Sequence, residues 1–87
     1  MTYSVIIKPS ANKALLKLPR NIQARIVNVL QQLADNPRPL GVLKLQSSFD
    51  LYRIRVGDYR IVYSIEDKQI QILVATIDHH KDIYDSF

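Results

Sequence analysis

Apolar residues along this chain recur first at helical intervals and later at every second position, and the change of period divides it. Before the helical part, Tyr3 to Lys8 reads as a short strand ended by Pro9. Ala11, Ala14, Leu15 and Leu18 then fall on one helical face, with Ser10 placed to cap that helix and Pro19 to break it. Ile22, Ile26, Val29, Leu30 and Leu33 follow at i, i+4, i+7, i+8 and i+11, which predicts a second, one-sided helix from about Arg20 to Asp35. Asn36-Pro37-Arg38-Pro39 ends it, because a residue that precedes proline is pushed out of the α region.

Beyond the prolines the period becomes two. Val42 to Leu45 is a short candidate strand, and Gln69 to Ile77 is the last. Between them, two alternating runs flank Gly57-Asp58, a pair suited to the positive φ values of a tight hairpin turn. With these two as the loop, Val56 faces Tyr59, Arg55 faces Arg60, Ile54 faces Ile61 and Arg53 faces Val62. Alternation then gathers Tyr52, Ile54, Val56, Tyr59, Ile61 and Tyr63 on one face and Arg53, Arg55 and Arg60 on the other. A second turn at Asp67-Lys68 is expected to set Ile65 opposite Ile70, Tyr63 opposite Ile72, Ile61 opposite Val74, Arg60 beside Ala75 and Ile77 opposite Asp58. The predicted architecture is α+β: two N-terminal helices packed on one face of a mostly antiparallel sheet of about four strands, with a short C-terminal tail or helix. No linker or repeat divides residues 1–87, so one domain is expected.

Composition narrows the class. Eighty-seven residues, 47% of them apolar, can form one small core. No run of about 18 apolar residues suits a membrane span, and the start, Met1-Thr2-Tyr3-Ser4-Val5, lacks a signal-peptide layout, so a cytoplasmic protein with no membrane partner is expected. There is no cysteine, and two adjacent histidines alone do not build a metal site, so neither metal nor cofactor is expected.

Charge adds an asymmetry. The net charge is +4, but residues 8–60 carry +7 and residues 61–87 carry −3. The basic part is where a polyanion would land. Lys8, Lys13, Lys17, Arg20 and Arg25 read as cations solvating helix surfaces, whereas Arg53, Arg55 and Arg60 form a cluster. Opposed like charges cost a sheet up to about 1 kcal/mol; a bound anion would remove that cost, and Arg60→Ala is expected to leave the fold intact or slightly more stable. The last strand delivers Asp78-His79-His80-Lys81 and Tyr84 to the same end, so a proton-exchanging imidazole emerges beside guanidinium groups, a combination fit for phosphodiester chemistry. His79 reads equally well as an anchor for the tail.

The segment Leu51 to Tyr63, then Ile72-Leu73-Val74 and Asp78-His79-His80-Lys81-Asp82-Ile83-Tyr84, resembles the RelE family of bacterial toxin-antitoxin toxins. Lys8-Pro9-Ser10-Ala11, Leu18-Pro19-Arg20 and the approach from Pro39 to Leu45 fit as well. The resemblance implies a metal-independent endoribonuclease that cuts mRNA in the ribosomal A site by attack of a ribose 2′-OH on the adjacent phosphate. By position it implies Arg60 for the transition state and Tyr84 for holding the nucleotide. His80 stands where the founding toxin has an arginine and can serve as general acid, with Lys81 beside it.

Arg53 and Arg55 stand where that toxin has lysines; arginine does not give up its proton, so they are cast as phosphate clamps, joined by His79 and Lys44. Gly41-Val42-Leu43-Lys44 offers no carboxylate where another branch of the family has its base. The base stays unassigned, with His79, water or a ribosomal group open. The implied partners are the ribosome, mRNA and a cognate antitoxin whose acidic segment folds on the toxin and displaces its tail. The free toxin is expected to be a monomer and the complex a heterotetramer or larger. A ParE-like poison of DNA gyrase and an inactive RNA- or antitoxin-binding module are the alternatives.

Overall fold

The computed structural model describes residues 2–45 and 51–79. Strand β1 (Ser4–Ile7) leads into helix α1 (Pro9–Leu16), helix α2 (Arg20–Asp35), and strands β2 (Leu43–Lys44), β3 (Leu51–Val56), β4 (Tyr59–Glu66) and β5 (Gln71–His79). The five strands form one mixed sheet in the order β1-β5-β4-β3-β2. The β1 and β5 strands run parallel, and the other neighbours are antiparallel. The two-helix, one-sheet plan is as the pattern predicts, with one more strand than expected.

Proline begins both helices. Pro9 takes the first helical position, where its missing N–H costs nothing, so Ser10 lies inside α1 and does not cap it. Pro19 is the N-cap of α2 and, with no polar side-chain atom, accepts no capping bond. The predicted stripe on α2 is the one that packs: Ile26, Leu30 and Leu33 are buried, with Ile22 and Val29 against them. Ala11 and Leu15 of α1 join these residues over Tyr52, Val56, Ile61, Tyr63, Ile65, Ile72, Val74 and Ile77. This cluster therefore lies on one side of the sheet, and Val62, buried on the other, stands outside it.

The far end of the sheet is held by a polar clasp. The Tyr63 phenol, fully buried, donates to the carbonyl of Pro37 at 2.7 Å and stacks on Tyr52 with ring centroids 5.9 Å apart. Arg38 lies over the Tyr52 ring, donates to its hydroxyl at 3.3 Å and pairs with Asp67 at 2.9 Å. Tyr3 donates to the same carboxylate at 2.7 Å. The Arg38 bond, then the Tyr3 bond, holds Asp67 below the usual carboxylate range. These contacts tie the proline segment to β3, β4 and the turn before β5.

That turn differs from the expected one. Asp67-Lys68 is not a two-residue loop: Asp67–Gln69 makes a turn of 3₁₀ helix, and Ile70 follows at φ 52°, where a β-branched residue is strained. The connection thus holds four residues, so Ile65 pairs with Ile72 and Tyr63 with Val74. A bulge then intervenes, with Val62 opposite Thr76 and Tyr63 opposite Val74, leaving Ala75 unmatched. Past it, Ile61 pairs with Ile77, Arg60 with Asp78 and Tyr59 with His79. Arg60 therefore faces Asp78, not Ala75.

Burial pushes the Tyr63 phenol up from 10.0 to about 12. Between those values the unfolded chain releases a proton that the folded chain keeps, so stability falls as pH rises through that window. Tyr63→Phe, which strands the Pro37 carbonyl, is expected to cost about 1–2 kcal/mol near neutral pH and to flatten the alkaline decline. Urea melts at pH 7 and across the alkaline range check both; an unchanged midpoint at pH 7 would contradict the bond's importance.

Candidate functional site

The hairpin has the register that its sequence predicts. Arg55 pairs with Arg60, Arg53 with Val62 and Val56 with Tyr59. Gly57 takes φ 60° while Asp58 does not share its positive φ, so one glycine suffices, as in a turn that places Gly first. Val56 and Ile61 are buried beneath the helices, which turns Arg53, Arg55 and Arg60 to the opposite face.

On that face the three arginines differ in surroundings. Arg55 is exposed, and its Nε donates to the Gly57 carbonyl at 2.7 Å. Arg53 is half-buried, in a cross-strand row with Leu43 and Val62. Arg60 is only 7% exposed, and its row continues from Arg55 through Arg60 to Asp78. The site thus combines one deep guanidinium, one flanking exposed guanidinium and one carboxylate in line. Such a row can grip a phosphate from one side while the carboxylate accepts a proton from the other.

Asp78 is the residue of this row that the sequence pattern did not place opposite Arg60. Its signal was present in the apolar spacing: Ile72 and Val74 are two apart, but Val74 and Ile77 are three apart. A strand that buries all three must bulge between the last two, and the bulge turns Asp78 toward the arginines. Asp78 also lines a shallow pocket of about 160 Å³ with Ser10, Ala11, Ala14, Ala75, Thr76 and Ile77, between α1 and the part of β5 that extends beyond β1.

Two of the expected phosphate-binding residues are not brought to this face. Lys44 pairs with Tyr52, and His79 pairs with Tyr59, so alternation puts both on the helix side of the sheet. The His79 ring meets the Tyr59 ring edge-on, with centroids 5.4 Å apart, which suits its reading as an anchor. Residue 79 does arrive at the hairpin end of the sheet, as expected. His80, Lys81 and Tyr84 lie outside the described residues. Among the described residues, no cluster of His, Cys, Asp and Glu could hold a metal ion, and no helix is long and apolar enough to cross a membrane.

Residues 5–84 match the sequence profile described as the ParE toxin of type II toxin-antitoxin system, parDE. Toxin RelG of Mycobacterium tuberculosis is 31% identical over 85 residues, which span 97% of this chain and 98% of that protein. The fold matches a chain of the archaeal RelE-RelB complex from Pyrococcus horikoshii OT3 with a TM-score of 0.83 at 35% identity, covering 92% of this chain and 97% of that one. The isolated RelE toxin of Escherichia coli superimposes with a TM-score of 0.80 over 97% of this chain and 93% of its own; at 23% identity that is a likeness of fold.

The burial of Arg60 and its position across from Asp78 reverse the expected effect of removing it. Relief of repulsion from the exposed Arg55 is small, whereas truncation empties a packed space and takes away a cation set opposite a carboxylate. Arg60→Ala is expected to destabilise the fold by about 1–3 kcal/mol, read from the urea midpoint. A variant as stable as the parent would return the account to simple cross-strand repulsion.

Proposed function

The chain belongs to the RelE/ParE superfamily of toxins of type II toxin-antitoxin systems, and from that premise we propose that its arginine face cleaves mRNA in the ribosomal A site. The observation that carries this reading is the Arg55-Arg60-Asp78 row at the hairpin end of the sheet. In the proposed reaction the ribose 2′-oxygen attacks the adjacent phosphorus as its proton leaves. The bond from phosphorus to the 5′-oxygen breaks, and that oxygen takes a proton, leaving a 2′,3′-cyclic phosphate and a 5′-hydroxyl.

Each step needs a group of stated charge. Arg60, set deep, is suited to the growing charge on the phosphorane, while Arg55 and Arg53 clamp phosphates of the strand along the same face. Asp78 supplies this face with the carboxylate that the segment before the hairpin lacks, and it is the candidate to take the 2′-OH proton. By sequence position His80 is assigned as general acid, Lys81 as a supporting cation and Tyr84 as the ring on which a base stacks. His79 and Lys44 are left to hold the end of β5 and the edge of the sheet.

The partner proposed is a cognate antitoxin, as in the RelE-RelB complex of Pyrococcus horikoshii. The arginine face supports it chemically: Ile6 and Leu43, 45% and 52% exposed, flank the charged rows on the same side of the sheet. An acidic amphipathic segment would cover both at once. Cytoplasmic location follows from ribosomal action within this reading.

The ParE profile match favours one second reading, in which the same scaffold poisons DNA gyrase. Toeprinting of ribosome-bound mRNA after brief induction separates the two. Cuts within A-site codons are expected for the parent. Single-turnover cleavage should fall about 10²-fold or more in Arg60→Gln and about 10²- to 10⁴-fold in Asp78→Asn. Intact mRNA together with trapped gyrase-DNA cleavage complexes would replace this function with the second.

A further inference from the structure

Gly57 is the meeting point of two guanidinium groups from different elements. From β3, Arg55 donates its Nε hydrogen bond to the Gly57 carbonyl at 2.7 Å. From α2, Arg25 lays its guanidinium against the α-carbon of the same residue: a Cβ there would stand 3.3 Å from Nη1, 3.7 Å from Nη2 and 3.8 Å from Cζ. Glycine is favoured at this position by its φ of 60°, and the space a Cβ would enter is the space into which the end of Arg25 reaches.

Both arginines are exposed, and neither pairs with a carboxylate among the described residues. The backbone positions that carry them are set by buried neighbours. Ile26, fully buried, sets the rotation of α2, and Val56, 5% exposed, pins the end of β3 beneath it. Two cations are therefore held at one turn from opposite sides of the sheet, an arrangement that costs repulsion unless an anion joins it.

The charges also run in file. Arg53 and Arg55 are two positions apart on β3, about 6.5–7 Å along the strand, and Gly57 with Arg25 against it continues the line to the tip. A track of guanidinium forks suits a chain of successive phosphates, each of which can take two parallel N–H bonds. A globular acidic partner would need no such line.

We propose that Arg25 binds a backbone phosphate of single-stranded RNA, carrying the strand from the arginine face over the hairpin turn to the flank of α2. This rests on the RNA-cleaving reading of the arginine face and extends it by one phosphate site on the helix layer. The cation at residue 25 is then part of the binding track, separate from the groups assigned to bond cleavage.

The test is fluorescence anisotropy with an end-labelled, 2′-O-methyl single-stranded RNA, which cannot be cleaved, titrated with the full chain at several potassium chloride concentrations. Loss of one phosphate contact lowers the slope of log K against log salt by about 0.7. Arg25→Gln should show that loss, so that the parent's advantage over it shrinks about 2.6-fold between about 50 and 200 mM salt. Arg25→Lys should keep the slope, since the charge remains.

Arg55→Gln serves as the reference for a track residue. An Arg25→Gln slope equal to the parent's, with Arg55→Gln lowered, overturns the role of Arg25 and leaves the function standing. The same holds if Arg25→Gln weakens only antitoxin binding. Absence of salt-dependent RNA binding by the parent overturns it too, while toeprinting reports on the cleavage reading independently.

Discussion

The pairing of β5 with β4 is the constraint on which the arginine face depends, and one extra residue, Ala75, sets it. Without the bulge, the register that pairs Tyr63 with Val74 would continue to set Arg60 opposite Ile77 and Tyr59 opposite Asp78. Ile77 would then stand on the charged face, and Asp78 would point toward the helices. The bulge exchanges them: Ile77 goes into the core at 2% exposure, and Asp78 joins Arg60. Full burial of an isoleucine contributes about 1.5–3 kcal/mol, and keeping a carboxylate out of an apolar layer avoids a larger cost. Hydrophobic burial on one side of the sheet thereby arranges the chemistry on the other.

A second consequence is a division of labour along the strands. At one end, Tyr63, Tyr52, Arg38, Asp67 and Tyr3 close the sheet against the proline segment through bonds that satisfy one another. At the other end, cations gather around Gly57 with fewer partners among the described residues. The stable end holds strand register, and the charged end keeps donors for an anion. Electrostatic frustration concentrated at one edge of an otherwise consistent fold is the pattern expected of a binding site.

Much of this was legible in the sequence, for identifiable reasons. The hairpin could be read because Gly57-Asp58 leaves only one register that keeps Tyr52, Ile54, Val56, Ile61 and Tyr63 together, and α2 because its stripe is long and one-sided. The second turn could not, because Asp67-Lys68 does not announce a four-residue connection and Ile70 adopts a left-handed conformation that its own side chain disfavours. With that register misplaced, Arg60 was matched to Ala75. The spacing of Ile72, Val74 and Ile77 held the correction, but it speaks only when burial of all three is demanded at once. Lys44 and His79 could not be given a face from the sequence, because each lies in a strand whose pairing partner, Tyr52 or Tyr59, has to be known first. Arg25 reads in the sequence only as a surface cation, because helical periodicity gives a face, not the neighbour at the end of a long side chain.

The most direct measurement of the central claim is a set of cross-strand nuclear Overhauser contacts between β4 and β5 in solution. The bulged register predicts backbone contacts of Arg60 with Asp78 and of Ile61 with Ile77, with Ala75 unmatched. Contacts of Arg60 with Ala75 and of Ile61 with Val74 would contradict it, for then no carboxylate would share the arginine row and the proposed division of catalytic groups would have no structural basis.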